Sequence, residues 1–170
     1  MAIDFIVETG EGDIEATSYV SLEDADQYAE NIGNSTWDDY SDDQKKAYLN
    51  VATSAIDDLY EYDGYTANDD NQALKFPRDL CLDKQTREYL ASDEIPQALQ
   101  KATVELAFIQ AATGNLILAS AAESFKKEKV GGLEIERFYS SKTAKQPTFL
   151  KAEYLVKRYF KDNDGDLIRA

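Results

Sequence analysis

Apolar residues recur at helical spacing along most of the chain, and this pattern predicts a mainly α-helical protein. The first helix is predicted between Ser21 and Gly33. A serine at the start can accept hydrogen bonds from helix amides, and a glycine at the end favours the left-handed turn that stops a helix. The apolar stripe of this helix consists of Leu22, Ala25, Tyr28 and Ile32.

A second helix is predicted after Ser41, because Ser41 and Gln44 have the spacing of a capping box. Its apolar positions are Tyr48, Val51, Ala52, Ala55, Ile56 and Leu59. The polar stretch 63–71 then predicts an exposed loop. We expect this loop to end at Phe76-Pro77, since the residue before a proline avoids helical geometry.

The most apolar helix is predicted to begin at Pro96, because the fixed φ of proline suits a first helical position. Apolar residues occupy most of its faces, namely Leu99, Ala102, Val104, Leu106, Ala107, Phe108, Ile109, Ala111 and Ala112. A helix that is apolar nearly all round is buried, so we expect it at the centre of the fold. Gly114 bends or ends it, a shorter helix follows over 116–122, and the last helix begins near Pro147.

The pattern changes from helical to alternating around Gly131-Gly132, which predicts a β-hairpin over about 125–139. Both arms are heavily charged, so neither face suits the core, and an isolated hairpin is marginally stable in water. We therefore expect the hairpin to project and to dock on another chain. The C-terminal tail is expected to dock on a partner as well. The predicted interface residues are Lys126, Lys127, Lys129, Val130, Leu133, Ile135, Arg137, Leu167 and Ile168.

No repeat or linker divides the 170 residues, so we predict one domain over 1–170. The predicted fold is a small helical bundle around a buried central helix. Its helical core covers about 17–122 and 147–161, the β-hairpin projects from it, and residues 162–170 form a flexible C-terminal tail.

Charge is distributed unevenly along the chain, which has a formal net charge of −15. Residues 1–70 contain 19 acidic and 2 basic residues, a net of −17, whereas residues 126–161 contain 10 basic and 4 acidic residues, a net of +6. This division is typical of an ordinary acidic surface with a basic helix end. It also suits head-to-tail contacts between copies, which can close into rings.

Few residues suit catalysis or metal binding. The chain has no histidine, which removes the commonest general base and transition-metal ligand. We expect Cys81 to be a small buried hydrophobic residue, and the acidic pairs to be solvated charges. Asp162–Asp166 resembles a calcium loop only in part, because its glycine stands at the fourth rather than the sixth position and no glutamate follows at the twelfth. We therefore predict no enzyme, no cofactor and no metal.

Nucleic-acid and membrane binding are also disfavoured by composition. A pI near 4.3 is unfavourable for phosphate contacts, which need clustered lysine and arginine. Lys126, Lys127 and Lys129 could touch a strand, but a protein-binding or solvated hairpin is the simpler interpretation. No run approaches the roughly 18 apolar residues of a membrane helix.

Several short motifs occur in the order found in a family of small tailed-bacteriophage proteins, which the chain resembles over residues 17–139. The motifs are Thr17–Tyr28, Trp37, the helix Lys46–Leu59, Gln72–Arg78, Ile95-Pro96 and Glu128–Leu133. Two positions depart from the family pattern: Phe76 replaces a tryptophan, and Gly132 stands where proline is frequent.

The resemblance implies a head–tail connector (adaptor, head completion) protein without enzymatic activity. Such a subunit forms a dodecameric ring in the virion between the portal protein and the tail or next connector ring, and packaged DNA passes through without specific binding. It would be made in the host cytoplasm. Some members of the family are labelled DnaT-like single-strand DNA-binding proteins, so a replication accessory protein that binds single-stranded DNA is the alternative.

Overall fold

In a computed structural model, residues 3–68, 71–114, 125–130, 133–138 and 150–161 are described. They confirm the predicted mainly α-helical class. The chain divides into two compact units, Met1–Leu116 with Phe149–Ala170, and Ile117–Thr148. The first unit contains the helices and the second contains the hairpin, and each is described by itself.

The first two helices begin as their sequence signals predict, and the first also ends at its predicted glycine. Helix α1, Leu22–Ile32, has Ser21 as its N-cap, and Gly33 at its C-terminus has a φ of 72°. Helix α2, Asp42–Leu59, begins with the capping box of Ser41 and Gln44. The predicted stripes need correction at two positions, because Ile32 and Val51 are exposed. In α2 the buried residues are Lys45, Leu49, Ala52, Thr53, Ala55 and Ile56.

Helix α3, Gln97–Thr113, occupies the centre of the helical unit, as predicted. It packs against α2 and against α4, Leu150–Val156. Leu99, Ala102 and Leu106 are fully buried. Pro96 is the N-cap of α3 rather than its first residue, and Gly114 ends the helix with a φ of 69°. The predicted helix over 116–122 lies outside the described residues, as does the predicted start near Pro147.

Two short antiparallel strand pairs, which the sequence pattern did not predict, lie between α2 and α3. Strand β1, Tyr65–Thr66, pairs with β2, Arg78–Asp79. Strand β3, Leu82–Asp83, pairs with β4, Glu88–Tyr89. The predicted loop over 63–71 therefore contains one strand. A strand of two residues is too short to show an alternating pattern.

The predicted hairpin is confirmed in the second unit. Strand β5, Phe125–Val130, pairs antiparallel with β6, Leu133–Phe138. The register runs from Phe125 opposite Phe138 to Val130 opposite Leu133. The two turn glycines and the tail 162–170 lie outside the described residues.

A hydrogen-bonded network around Tyr19 joins the N-terminal segment to α2 and to the turn before β2. The buried Tyr19 hydroxyl donates to the Asp57 carboxylate, with its oxygen 2.7 and 2.9 Å from Oδ1 and Oδ2. The same hydroxyl accepts from the Phe76 amide at 3.1 Å, and the Lys75 amide donates to Asp57 at 2.9 Å. Burial nevertheless dominates, and it raises the pKa of Asp57 to about 6.

We predict that this carboxyl group makes the stability of the protein depend on pH. A raised pKa in the folded state favours the protonated acid, so its contribution to stability is lost as the pH rises from about 4 through about 6. Asp57→Asn removes the titration. The difference in unfolding free energy, variant minus wild type, should therefore be about 2 kcal/mol larger at pH 7 than at pH 4.

Urea denaturation at both pH values measures this difference. The exposed neighbour Asp58→Asn is the matched control. A difference between Asp57→Asn and wild type that is equal at both pH values would contradict the assignment.

Candidate nucleic-acid interface

The predicted interface residues of the hairpin lie in β5 and β6, and only their backbone register is described. Val130 pairs with Leu133, and Ile135 pairs with Glu128 two positions away. Lys126 pairs with Arg137. Leu167 and Ile168, the predicted tail anchors, lie outside the described residues. The docking role of all these residues stays a prediction.

A different group of basic residues is assembled in the first unit by the turn between β3 and β4. Asp83 organises this turn, because its Oδ1 accepts from the amides of Gln85 at 2.8 Å and Thr86 at 3.3 Å. The Arg87 amide donates to the Asp83 carbonyl at 2.7 Å, and Arg87 has a φ of 63°. The tight turn leaves the Arg87 side chain exposed.

The turn is fixed to the short 3-10 helix Lys157–Tyr159 that follows α4. Arg158 donates from Nε to Asp83 Oδ1 at 2.8 Å and forms an ion pair with Oδ2 through Nη2. The Lys84 amide also donates to the Arg158 carbonyl at 3.0 Å. Two segments that are distant in sequence therefore present their basic residues together.

We call this group the basic patch. Its members are Lys84, Arg87, Lys157, Arg158 and Lys161. Within the patch, Arg87, Lys157 and Lys161 are exposed. Clustered basic side chains are the groups that contact phosphates in nucleic acids.

The pKa of Asp83 shows that this carboxylate neutralises one charge of the patch. Burial acts to raise this pKa, but hydrogen bonds from Arg158 and the turn amides outweigh burial and lower it. Asp83 is therefore ionised near neutral pH and offsets the charge of Arg158. The exposed side chains of Arg87, Lys157 and Lys161 contribute positive charge at the surface.

Two exposed tyrosines lie close in sequence to the residues of the basic patch. Tyr154 lies in α4, three residues before Lys157, and 82% of its surface is exposed. Tyr89 lies in β4 opposite Leu82 and is 65% exposed. Exposed aromatic rings beside basic side chains are the stacking platforms of proteins that bind single strands.

Only part of the signal for the basic patch is readable from the sequence. The positive charge of residues 126–161 includes Lys157, Arg158 and Lys161. Lys84 and Arg87 were missed, because strands of two residues carry no periodic pattern and the contact of Asp83 with Arg158 joins residues 75 positions apart.

Other chemical groups in the described part of the chain are placed as follows. Cys81 is fully buried, as expected, and burial raises the pKa of its thiol to about 11. The described residues contain no group of three or more side chains suited to hold a metal ion. No helix among them is long and apolar enough to cross a membrane.

Comparison with known protein families places nearly the whole chain in one family. A family model described as "Putative DnaT-like ssDNA binding protein" matches residues 3–170, nearly the whole chain. No curated protein and no solved structure matches significantly.

Proposed function

The chain belongs to the DnaT-like family, and from that membership we propose that it binds single-stranded DNA through the basic patch and Tyr154. The family description carries this proposal, because it names single-stranded DNA and supports the alternative function over the ring connector. The basic patch supplies the chemistry that the description requires.

Binding would combine two kinds of contact. Arg87, Lys157 and Lys161 would neutralise phosphates, because their side chains are exposed. Tyr154 would stack on a base, an interaction worth about 1–3 kcal/mol and tolerant of sequence. Tyr89 offers a second stacking surface next to the turn that carries Lys84 and Arg87.

The acidic remainder of the chain limits the affinity. A net charge of −15 repels the DNA backbone everywhere except at a local positive surface. We therefore expect a dissociation constant of about 10 μM near physiological salt, within the range of non-specific binding. Composition alone predicts no measurable binding to DNA. The basic patch is the reason for expecting measurable affinity for a single strand.

We predict that Tyr154→Ala weakens binding to a short oligo-dT about tenfold, because it removes one stacking contact. Lys157→Glu should weaken it as well and reduce its dependence on salt, since one phosphate contact is lost. Fluorescence anisotropy over a salt titration measures both effects.

Matched controls are available on β1 and α2. Tyr65→Ala removes a tyrosine that is 57% exposed but lies outside the patch, and Lys46→Glu makes the same charge change in α2. Both should bind as the wild type does. Equal binding by all four variants would refute the assignment of DNA binding to the basic patch and Tyr154. Absence of binding by the wild type at about 50 mM salt would refute single-stranded DNA binding itself.

A ring connector between portal and tail is the second candidate, and the division of charge favours it. Residues 1–70 carry a net of −17, whereas residues 126–161 carry a net of +6, so neighbouring copies would attract each other. An acidic channel wall would also let DNA pass without phosphate contacts. Screening weakens such attraction at physiological salt, so a ring would form on a portal rather than alone.

For the connector we predict that replacing Val130, Leu133 and Ile135 with serine blocks ring formation on portal-containing heads without lowering the melting temperature. The reason is that a charged hairpin would gain its stability from a partner chain. An assembly assay beside a thermal melt makes the test. A fall of many degrees in melting temperature would show that the hairpin belongs to the subunit's own core, and normal assembly would exclude its docking role.

A further inference from the structure

A groove of about 200 Å³ lies between α1 and α3, apart from the basic patch. Val20 and Val104 line it and are themselves buried, so they form an aliphatic floor. Asp24 and Lys101 also line it, with opposite charges. The groove therefore lacks the excess positive charge that a phosphate site requires.

Four amide side chains line the groove, two from each helix. They are Gln27, Asn31, Gln97 and Gln100. Each amide offers both hydrogen-bond donors and an acceptor. Asparagine and glutamine amides form paired hydrogen bonds with the edges of bases, adenine above all. Some of these groups already bond within the groove wall, because Gln27 Nε2 donates to Asn31 Oδ1 at 3.4 Å and Lys101 Nζ donates to Gln97 Oε1 at 2.9 Å. Gln27, Asn31 and Gln97 are exposed, so a flat, uncharged, polar ring above the apolar floor would exchange with these contacts.

The groove is connected to α4 through Glu105. Tyr28, which lines the groove, donates its hydroxyl proton to Glu105 at 2.7 Å. Lys151 forms an ion pair with the same carboxylate, and its Nζ lies 6.0 Å from the centre of the Tyr28 ring. Lys151 lies at the start of α4, the helix that carries Tyr154.

The distance along α4 and into the following 3-10 helix fits a short piece of single strand. Lys157 follows Lys151 by six positions, which is about 9 Å along the axis. That length corresponds to two or three nucleotides at the rise of about 3.4 Å per nucleotide in one strand of a duplex. A strand on the basic patch can therefore extend within a few nucleotides to Lys151, which contacts the Tyr28 ring beside the groove.

We infer that the groove between α1 and α3 receives one nucleobase of the bound strand and gives the protein a preference among bases. This inference rests on the proposed function, because the basic patch must hold the strand. Stacking on Tyr154 tolerates any base, whereas the four amides would distinguish base edges. The patch would supply affinity and the groove selectivity.

The test compares the affinities of wild type and Gln100→Leu for oligo-dA, oligo-dC and oligo-dT by anisotropy. Gln100 is partly buried in the wall, and leucine keeps its size while removing its hydrogen bonds. Wild type should favour one base about tenfold, with adenine expected first. Gln100→Leu should reduce this preference below about twofold with an unchanged salt slope, whereas Gln110→Leu, on α3 but outside the groove, should keep it.

A titration with free deoxyadenosine, followed by NMR of the side-chain amide groups, separates the two claims. Shifts confined to the glutamine and asparagine amides of the groove are expected. If single strands bind and Tyr154→Ala weakens them, but Gln100→Leu keeps the base preference and no groove amide shifts, the groove inference is wrong and the proposed function stands. If no single strand binds, the proposed function is wrong, and the inference falls with it.

Discussion

The return of the C-terminal segment to the middle of the chain is the constraint on which the candidate interface depends. Arg158 and Asp83 lie 75 positions apart and form an ion pair with two hydrogen bonds. Asp83 is buried in this pair, and Arg158 is partly exposed. Backbone hydrogen bonds reinforce this contact. The Asp63 amide donates to the Tyr159 carbonyl at 2.8 Å, and the Lys161 amide donates to the Glu61 carbonyl at 3.1 Å. Without this return, the turn after β3 and the end of α4 would present their basic residues separately. A pair of this kind is costly to break on one side only, because the remaining charge is left without its partner.

Charge distinguishes the two proposed functions physically. Most of the acidic residues lie in the first 70 positions, while the basic patch draws on segments later in the chain. A strand of DNA would be held by the patch and repelled elsewhere, which restricts it to a short path. A connector would use the same separation of charge for contacts between copies and would keep DNA away from its walls. Family membership favours the first use, and the overall charge favours the second.

Local signals were readable from the sequence, and long-range ones were not. Ser21 and Ser41 predict the starts of α1 and α2, and the glycine pair predicts the hairpin, because each signal acts within a few residues. The basic patch depends on two-residue strands and on a contact between distant side chains, which leave no local pattern. The amide groove depends in the same way on how α1 packs beside α3. Resemblance to phage proteins pointed to the right family label, but it ranked the connector above single-strand binding, opposite to the family description.

Photo-crosslinking of the protein to a single strand that contains 5-bromodeoxyuridine tests the central claim most directly. Crosslinks form where a base lies against an aromatic ring, and mass spectrometry identifies the residue. The account predicts crosslinks at Tyr154 and Tyr89, which decrease as salt is raised. Crosslinks confined to the hairpin strands or to Tyr65, or no crosslink at low salt, would contradict it.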